Sequence, residues 1–324
     1  MYILHLSATP LAGAPVRLCK ILNKYSNTFN KSALSLPTGI QFDKADIMIN
    51  YHYASRNVPV FHDSEILFEE IKKADIIHIH NYPPINKNSY AWELIKKKPV
   101  IVQFHSPPHI SKPRYDIISS KINIKKILVI GQYHARVLNF PNKKIVRNVV
   151  DIYHPLMQPK IQNNNPPIIT YAPSNTRGPE MKWAYKSYNE ILELFDKLRG
   201  KYICHIFTNI PWNICLKERQ IANFHIDEIH TGSYHLSSLE GLSQGKVVIA
   251  NLAEWMIEII KELTGCTDVP WLICNKNNIE FNINSLAANK DKLLLQQKLS
   301  REWMEKYWTP ELIINDYLEV YNSL

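Results

Sequence analysis

The few glycines of this chain mark turns at which a backbone could approach a ligand closely. Five of the nine lie in or beside predicted strand-to-helix turns: Gly13, Gly178, Gly232, Gly241 and Gly245. In open α/β sheets, ligands bind at the carboxyl ends of strands, and helix N-termini attract phosphate. The loops Ser7–Val16 and Pro173–Lys182 fit this geometry. The chemistry they indicate is recognition of a phosphorylated ligand.

Neither loop carries a common phosphate-binding signature. GxGxxG and GxxxxGK[ST] are both missing, which disfavours nicotinamide and ATP binding.

The five cysteines are odd in number and form no CxxC pair. This pattern argues against a disulfide framework or a zinc ribbon.

Composition indicates a soluble globular protein of two domains. The chain has 324 residues, of which 45% are hydrophobic and 21% charged. No apolar run reaches the roughly 18 to 20 residues that a membrane-spanning helix needs. The segment Met1–Leu6 has the pattern of a first strand rather than of a signal peptide, so we expect a cytoplasmic protein.

Charge is distributed unevenly between the two halves. Residues 1–155 carry 21 basic and 10 acidic side chains, a net charge of +11, whereas residues 156–324 carry 17 basic and 19 acidic ones. A positive half attracts anionic partners such as phospholipid head groups, nucleic acid or acidic polymers. A merely solvated basic surface is the alternative.

The pattern of both halves predicts strands alternating with helices. In the first half the predicted strands are Tyr2–Leu6, Asp46–Asn50, Asp75–His80, Pro99–Phe104 and Lys126–Ile130, with helices over Val16–Tyr25 and Ser64–Lys73. Pro155–Pro167 has the composition of a linker. In the second half we predict strands at Ile168–Ala172, Tyr202–Thr208, Glu228–His230 and Val247–Ala250, and helices at Glu180–Leu198, Ser237–Ser243 and Ala253–Leu263. A final helical stretch, Lys290–Leu324, is interrupted at Pro310.

Seven segments together resemble one enzyme family. LEGLSQGKVVI at Leu239–Ile249 resembles the EAMAxGKPVI helix and strand of retaining nucleotide-sugar glycosyltransferases with the GT-B fold. Six further segments resemble family motifs in the family's order: LHLSATPLAGAP, ADIIHIHN, VQFHSPP, ILVIGQYHARVL, RNVVDI and APSNTRGPEMK. Each motif is common alone, but this order over nearly the whole chain is specific.

The resemblance implies an α/β protein of the GT-B class, with two Rossmann-like domains facing a central cleft. Residues 1–155 would bind the acceptor, residues 156–305 the nucleotide-sugar, and the helix at 306–324 would pack back towards the first domain. The implied activity is transfer of a hexose from a UDP-, GDP- or ADP-sugar to a hydroxyl group, with retention and without a cofactor. No DxD triplet occurs, and GT-A transferases usually need one for a metal, so we expect no metal.

The resemblance also assigns site residues. Glu240 would accept hydrogen bonds from the ribose hydroxyls. Arg177 and Lys182 match the basic pair that holds the donor diphosphate and stabilises its growing charge, and Lys186 is a rival to Lys182. His105 matches the histidine near the transferred sugar. Further donor contacts are expected at Gly13, Ala14, Ser174, Asn175, Gly232, Ser233, Tyr234, His235 and Leu236. A helix-capping Glu240, surface cations and a structural His105 are the alternatives.

One position departs from the family pattern. Many members carry a first glutamate eight residues before the second, and that position is Gly232 here. Others read G-x-Y-G, whereas this chain has His235 in place of the last glycine. Either backbone amides with Ser233 and His235 hold the sugar, or the donor differs from the common hexoses.

The acceptor is expected to be anionic, because basic residues are dense at Ser111–Lys126, Lys96–Lys98 and Lys143–Lys144. An envelope glycan or glycolipid at the inner membrane leaflet fits and is favoured, with peripheral membrane binding. A phage-type transferase acting on modified DNA bases is an alternative, for which four tyrosines are available: Tyr51, Tyr53, Tyr82 and Tyr115. A non-catalytic sugar-binding protein with the same fold is a third hypothesis.

Overall fold

The structure, a computed structural model, describes residues 1–36, 39–42, 64–174, 176–180 and 185–324. The chain forms two compact units. Unit 1 comprises Met1–Val149 and Pro310–Leu324, and unit 2 comprises Val150–Thr309. These boundaries fall a few residues from the predicted ones. Several predictions lie outside the described residues: the strand Asp46–Asn50, Tyr51 and Tyr53, and the loop residues Asn175 and Lys182.

Within its described residues, unit 1 contains a seven-stranded sheet in the order β3-β2-β1-β4-β5-β6-β7. Its strands are β1 (Tyr2–Ser7), β2 (Phe29–Leu36), β3 (Gly39–Phe42), β4 (Ile76–His80), β5 (Val100–Phe104), β6 (Ile124–Ile130) and β7 (Lys143–Val146). All neighbours pair in parallel except β2 and β3. The central strands β4 and β5 are buried along their whole length, as expected of a parallel sheet covered on both faces.

Six helices of unit 1 accompany this sheet in the described segments. They are α1 (Ala14–Tyr25), α2 (Glu65–Lys73), α3 (Ala91–Ile95), α4 (Pro108–Ser119), α5 (Tyr133–Val137) and, after unit 2, α12 (Pro310–Tyr321). Ser64 caps the N-terminus of α2, because its side chain accepts a hydrogen bond from the Leu67 N–H. The last helix buries an apolar stripe that includes Ile313, Tyr317 and Tyr321.

Unit 2 contains a five-stranded parallel sheet in the order β12-β11-β10-β8-β9, counted over its described residues. Its strands are β8 (Ile168–Tyr171), β9 (Ile203–Ile206), β10 (Phe224–Glu228), β11 (Val247–Ala250) and β12 (Leu272–Ile273). Its helices are α6 (Tyr188–Leu198), α7 (Trp212–Arg219), α8 (Leu236–Ser243), α9 (Glu254–Thr264), α10 (Ile279–Ala287) and α11 (Lys290–Tyr307). Ile191 and Leu194 of α6 pack into one core with Ile169, Phe224 and Ile249 of the sheet.

The predicted linker Pro155–Pro167 lies within unit 2 and is held by hydrogen bonds to the rest of that unit. The Gln162 N–H donates to Gln297 Oε1, and Gln297 Nε2 donates back to the Gln162 carbonyl, each at 3.0 Å. The Lys246 ammonium donates to the Lys160 carbonyl at 2.6 Å. Asn164 reaches Asn223 at 3.1 Å. Polar side chains therefore hold this segment against unit 2 by backbone and amide hydrogen bonds, which composition alone does not reveal.

Among the described residues, no helix is long and apolar enough to cross a bilayer. None of the five cysteines, all of which lie in the described part of the chain, forms a disulfide.

Candidate functional site

Within the described residues, each sheet has one point at which successive connections leave in opposite directions. In unit 2 the chain passes from β8 to β9 on one side and then to β10 on the other, so this switch point lies between β8 and β10. In unit 1 it lies between β1 and β4. Ligands of open α/β sheets bind beyond the carboxyl ends of the strands at such points. The predicted loops after β1, β8 and β10 all lie there.

The described part of the loop after β8 presents one exposed basic residue and one buried one. Ser174 and Arg177 are exposed, while Asn175 and Lys182 lie outside the described residues. Lys186 is only 8% exposed and immediately precedes Ser187, the residue before α6. The rival that sequence analysis named beside Lys182 is thus a buried cation at the switch point.

Burial lowers the pKa of Lys186 to about 8, although Asp227 and Glu228 act in the opposite direction. Both carboxylates stand at the carboxyl end of β10. Below about pH 8 the Lys186 ammonium is therefore a desolvated positive charge near the edge of the sheet. Such a charge interacts more strongly with a phosphate group than a solvated surface lysine does.

Glu228 shapes the loop after β10. Its Oε2 accepts hydrogen bonds from the N–H groups of His230 and Thr231 at 2.6 and 2.7 Å, and its Oε1 accepts from the Thr231 hydroxyl at 2.6 Å. Gly232 follows with φ of 75°, in the left-handed region. A Cβ on Gly232 would lie 3.0 Å from the Ala253 Cβ. A side chain at this position would therefore crowd Ala253 and strain the backbone, which disfavours the glutamate that many family members carry here.

Asp227 occupies the start of α8. Its carboxylate accepts hydrogen bonds from the His235 N–H at 2.6 Å and from the hydroxyls of Ser237 and Ser238 at 2.5 and 2.7 Å. Burial would raise the pKa of Asp227, but His235, Lys186 and these donors outweigh it, so the pKa is lowered. Part of the anion-binding capacity of this helix N-terminus is thus used by the protein itself.

Glu240 is buried in α8 and already has two partners. Its Oε1 accepts from the Trp212 indole N–H at 2.7 Å, and its Oε2 pairs with Arg219 at 3.1 Å. The Glu240 and Arg219 side chains are 6% and 2% exposed. Each carboxylate oxygen retains a second lone pair, so Glu240 can still accept a hydrogen bond from a ligand hydroxyl.

Two residues that were predicted to contact the nucleotide-sugar, Ser233 and Tyr234, lie in the core of unit 2. Ser233 is fully buried with its hydroxyl 3.4 Å from Met256 Sδ, and Tyr234 is fully buried against Trp271 and Trp308. These side chains belong to the core, which leaves only their backbone groups for a ligand. His235 and Leu236, by contrast, are partly exposed.

In unit 1, the loop after β1 has an unusual backbone. Leu11, Ala12 and Gly13 have φ values of 48°, 52° and 77°, and Ala14 begins α1. Left-handed conformations at non-glycine residues are costly and occur mainly where a site requires them. The Ala8 N–H donates to the Tyr82 carbonyl at 2.7 Å, which joins the loops on the two sides of the switch point.

His105 directly follows β5 and is held by Asn81. The His105 N–H donates to Asn81 Oδ1 at 2.7 Å, and Asn81 Nδ2 donates to the Ser106 hydroxyl at 2.8 Å. Burial, assisted by the Arg17 charge, lowers the pKa of His105 to about 3. His105 is therefore a neutral imidazole at physiological pH.

Comparison with solved structures extends over the whole chain. A glycosyltransferase from Rickettsia africae ESF-5 is 14% identical with a TM-score of 0.57, covering 99% of this chain and 97% of that one. Sucrose-phosphate synthase from Thermosynechococcus elongatus is 13% identical with a TM-score of 0.54, covering 100% and 99%. HepE from Anabaena, solved in complex with UDP, is 11% identical with a TM-score of 0.56, covering 100% of both chains.

The chain has the GT-B fold. The expected fold class is confirmed, with one Rossmann-like sheet in each unit. No protein-family model and no curated protein sequence matches the chain. The roles predicted for individual residues stay predictions.

Sequence analysis missed several residues of the unit 2 site. Asp227, Arg219 and Trp212 were not singled out, because no motif marks them. The sequence holds only a weak signal for Asp227. Asp227 and Glu228 form an acidic pair that precedes a helix start with two serines, and an acidic residue in such a place can cap the helix N-terminus. Arg219 and Trp212 contact Glu240 only through the packing of α7 against α8.

Proposed function

We propose that this chain is a glycosyltransferase that moves a sugar from a nucleotide-sugar to a hydroxyl group. The observation that carries the proposal is the switch point of unit 2, where the buried Lys186, the exposed Arg177 and the acceptor Glu240 belong to the elements around one ligand-binding edge. The GT-B fold supports it, and HepE, which shares that fold, was solved with UDP and with UDP-glucose.

In this proposal the protein's cations act on the departing diphosphate. Arg177 and Lys186 stabilise the negative charge that develops as the glycosidic bond breaks, with Lys182 as a further candidate. Glu240 accepts hydrogen bonds from the ribose hydroxyls. Fixed cations at this place perform the charge stabilisation for which other transferases recruit a metal ion, so we propose a metal-independent reaction.

We further propose retention at the anomeric carbon. The acceptor hydroxyl attacks from the face that the diphosphate leaves, and a diphosphate oxygen takes the hydroxyl proton. The new glycosidic bond forms as the sugar–phosphate bond breaks, so no enzymic nucleophile is needed.

The acceptor class follows from where the lysines of unit 1 lie. Lys96–Lys98 precede β5, Lys125 and Lys126 lie at the start of β6, and Lys143 and Lys144 begin β7. In a parallel sheet these positions share the amino edge, opposite the switch-point loops. We propose a docking role for these lysines, in which the amino edge binds an anionic membrane that carries a glycolipid acceptor.

The DNA alternative is less favoured by the structure. Tyr82 packs edge-on against Trp92, and Tyr115 packs against Phe140, so both rings already have partners within unit 1. A DNA-modifying enzyme needs free aromatic faces for an extruded base. We propose envelope glycan or glycolipid synthesis at the cytoplasmic membrane face instead.

Calorimetric titration with UDP tests the nucleotide site. Glu240→Gln and Arg177→Ala are each expected to weaken UDP binding about tenfold, since each removes one polar or charge-assisted contact. Arg199→Ala is the matched control, because Arg199 is exposed on unit 2 and pairs only with Asp196 among the described residues. If both site variants bind UDP like the wild type, the proposed site is wrong.

A donor-hydrolysis screen read by mass spectrometry tests the activity before an acceptor is known. UDP-, GDP- and ADP-sugars are incubated with the pure protein, and we expect slow release of free sugar from one of them. Glycan binding without hydrolysis or transfer of any donor would identify a non-catalytic sugar-binding protein and contradict the proposal.

A further inference from the structure

A line of buried polar side chains crosses the sheet of unit 1 and ends at His105. Asn30 Oδ1 lies 3.1 Å from His5 Nε2, His5 Nδ1 lies 3.0 Å from His80 Nε2, and His80 Nδ1 lies 2.9 Å from His105 Nε2. Asn30, His5 and His80 are at most 2% exposed, whereas His105 as a residue is partly exposed. We call these four residues the histidine relay.

The amide at the buried end of the relay can adopt only one orientation. Asn30 Nδ2 donates to Asn23 Oδ1 at 3.1 Å and to the Thr28 hydroxyl at 2.9 Å. Asn23 is fixed in turn, because its Nδ2 donates to the Asn30 carbonyl and its Oδ1 accepts from the Asn30 N–H. The oxygen of the Asn30 amide must therefore face His5.

This orientation determines the position of every proton in the relay. A carbonyl oxygen only accepts, so His5 carries its proton on Nε2. A neutral imidazole has one ring proton, so His5 Nδ1 accepts from His80 Nε2–H, and His80 Nδ1 accepts from His105 Nε2–H. The neutral state of the rings agrees with their burial, which lowers the pKa of His5 to about 4 and that of His80 well below its usual value.

We propose that Asn30, His5 and His80 are positioning residues that hold His105 in the Nε2-protonated form, so that its bare Nδ1 accepts a hydrogen bond from a sugar hydroxyl. The identity of the ligand as a sugar rests on the proposed function. The tautomer of His105 rests on the hydrogen bonds of the relay alone. No hydrogen bond to His105 Nδ1 occurs within the described part of the chain, and His105 as a residue is partly exposed.

The same relay makes His105 an acceptor rather than a general base. In a Ser-His-Asp triad, a carboxylate at the far end stabilises the imidazolium that forms. Here the far end is a neutral amide, and the charge near His105 is the guanidinium of Arg17 on α1, which disfavours a second positive charge. A proton taken up at Nδ1 would thus have no anion to stabilise it along the relay.

Nitrogen NMR of the histidine rings tests the tautomer without any substrate. In protein labelled with ¹⁵N-histidine at pH 7, we expect the His105 signals of a protonated Nε2 and a bare Nδ1, assigned by their loss in His105→Gln. A proton on Nδ1, or on both nitrogens, would overturn the proposal.

Two substitutions at Asn30 separate positioning from packing. Asn30→Leu keeps the approximate volume but removes the acceptor, and we expect the His105 signals to become those of mixed tautomers. Asn30→Asp keeps an acceptor oxygen towards His5 but adds the carboxylate that the wild-type relay lacks, so we expect the His105 signals to depend on pH in this variant, unlike those of the wild type. Thr28→Val is the matched control, because it removes a neighbour of Asn30 and leaves Asn30 Oδ1 in place. Unchanged His105 signals in a folded Asn30→Leu protein would show that Asn30 has only a structural role.

Ligand binding provides an independent readout. Asn30→Leu and His105→Gln are expected to bind UDP as the wild type does and UDP-glucose about fivefold more weakly, the effect of one hydrogen bond. Equal loss for both ligands would contradict a sugar-specific role. If the wild type binds neither ligand, the proposed function fails, while the NMR result still decides whether the relay sets the tautomer.

Discussion

At the scale of single residues, burial determines how the charged side chains of the unit 2 site behave. Lys186 is a buried cation near two carboxylates, and Glu240 is a buried carboxylate with its own arginine. Both arrangements place charge where water cannot screen it, which makes them sensitive to the loss of a partner or of a proton.

Nucleotide affinity is expected to fall as pH rises above about 8. Diphosphate binding favours the protonated Lys186, whose pKa in the free protein is about 8, so binding requires proton uptake above that pH. We expect UDP affinity to be nearly constant from pH 6.5 to 7.5 and to fall by up to about tenfold per pH unit above pH 8. Lys186→Arg should remove this fall, because arginine stays charged.

Titration calorimetry of both proteins in the same buffers measures the difference and controls for ionisation of the ligand. An identical pH profile for the wild type and Lys186→Arg would show that Lys186 does not contact the diphosphate.

The Arg219–Glu240 pair makes a separate prediction about stability. Arg219→Met leaves the Glu240 carboxylate buried without its cation, and we expect a loss of about 3–5 kcal/mol in the free energy of unfolding. The double variant Arg219→Met/Glu240→Gln removes both charges and should recover part of that loss. Urea unfolding at constant pH measures both, and a single variant as stable as the wild type would indicate that Glu240 finds another partner.

At the scale of elements, the loop after β10 can be tested by a pair of glycines. Gly232 and Gly200 both have positive φ, of 75° and 83°, but a Cβ would meet Ala253 only at Gly232. Gly200→Ala should cost about 1 kcal/mol from backbone strain alone, and Gly232→Ala about 2–3 kcal/mol. Thermal unfolding followed by circular dichroism compares them, and equal losses would mean that the Ala253 contact yields freely.

The helix α12 offers a similar contrast between two acidic residues. Asp316 accepts from both the backbone N–H and the guanidinium of Arg147, and the Asp316 side chain is 15% exposed. Glu319 pairs with Lys144 but is 72% exposed. Asp316→Asn should destabilise unit 1 by about 1–3 kcal/mol and Glu319→Gln by less than about 0.5 kcal/mol. Equal effects in chemical unfolding would contradict the assignment of the buried pair.

Most strands could be predicted from the sequence, and the failures have identifiable physical causes. β4, β5 and β11 are short apolar runs, and their predicted positions agree with the structure to within one residue. β10 was placed too late, because His225 and Asp227 are polar residues that the sheet buries. α6 was predicted to begin at Glu180 but begins at Tyr188, after Ser187 with φ of 58°, a conformation that no local pattern announces.

The site was predictable only in outline. Motif order indicated the loops after β1, β8 and β10, since strand ends and glycines are visible in sequence. The burial of Lys186, the Arg219–Glu240 pair and the histidine relay depend on side chains far apart in the chain that only the folded sheet brings together. Asn30 and His80 are 50 residues apart in sequence, and His5 joins them because β1 lies between β2 and β4.

At the scale of the whole molecule, all of the excess charge belongs to one unit. Unit 1 contains 21 basic and 12 acidic side chains, whereas unit 2 contains 17 of each. The net charge of +9 is thus the charge of unit 1. A membrane or another polyanion would interact with this unit first.

Vesicle binding tests the docking role of the amino edge. Lys96, Lys97 and Lys125 are exposed there, and changing all three to Gln should weaken binding to vesicles with anionic lipid by about 1 kcal/mol per lysine. The same change at Lys197, Lys201 and Lys217 of unit 2 alters net charge equally and should have little effect. Equal weakening in co-sedimentation would point to net charge alone. Tighter binding of the wild type to duplex DNA than to these vesicles would favour the DNA alternative.

The return of α12 to unit 1 has a consequence for biosynthesis. Unit 2 is one uninterrupted stretch of chain, so its core needs no residue from the segments on either side of it. Unit 1 begins to emerge first, yet its sheet lacks the helix that covers His78 and Gln103 until Pro310–Leu324 leave the ribosome. Unit 1 is therefore started before unit 2 and completed after it, and the face of its sheet that Pro310–Leu324 cover stays uncovered during the synthesis of all of unit 2.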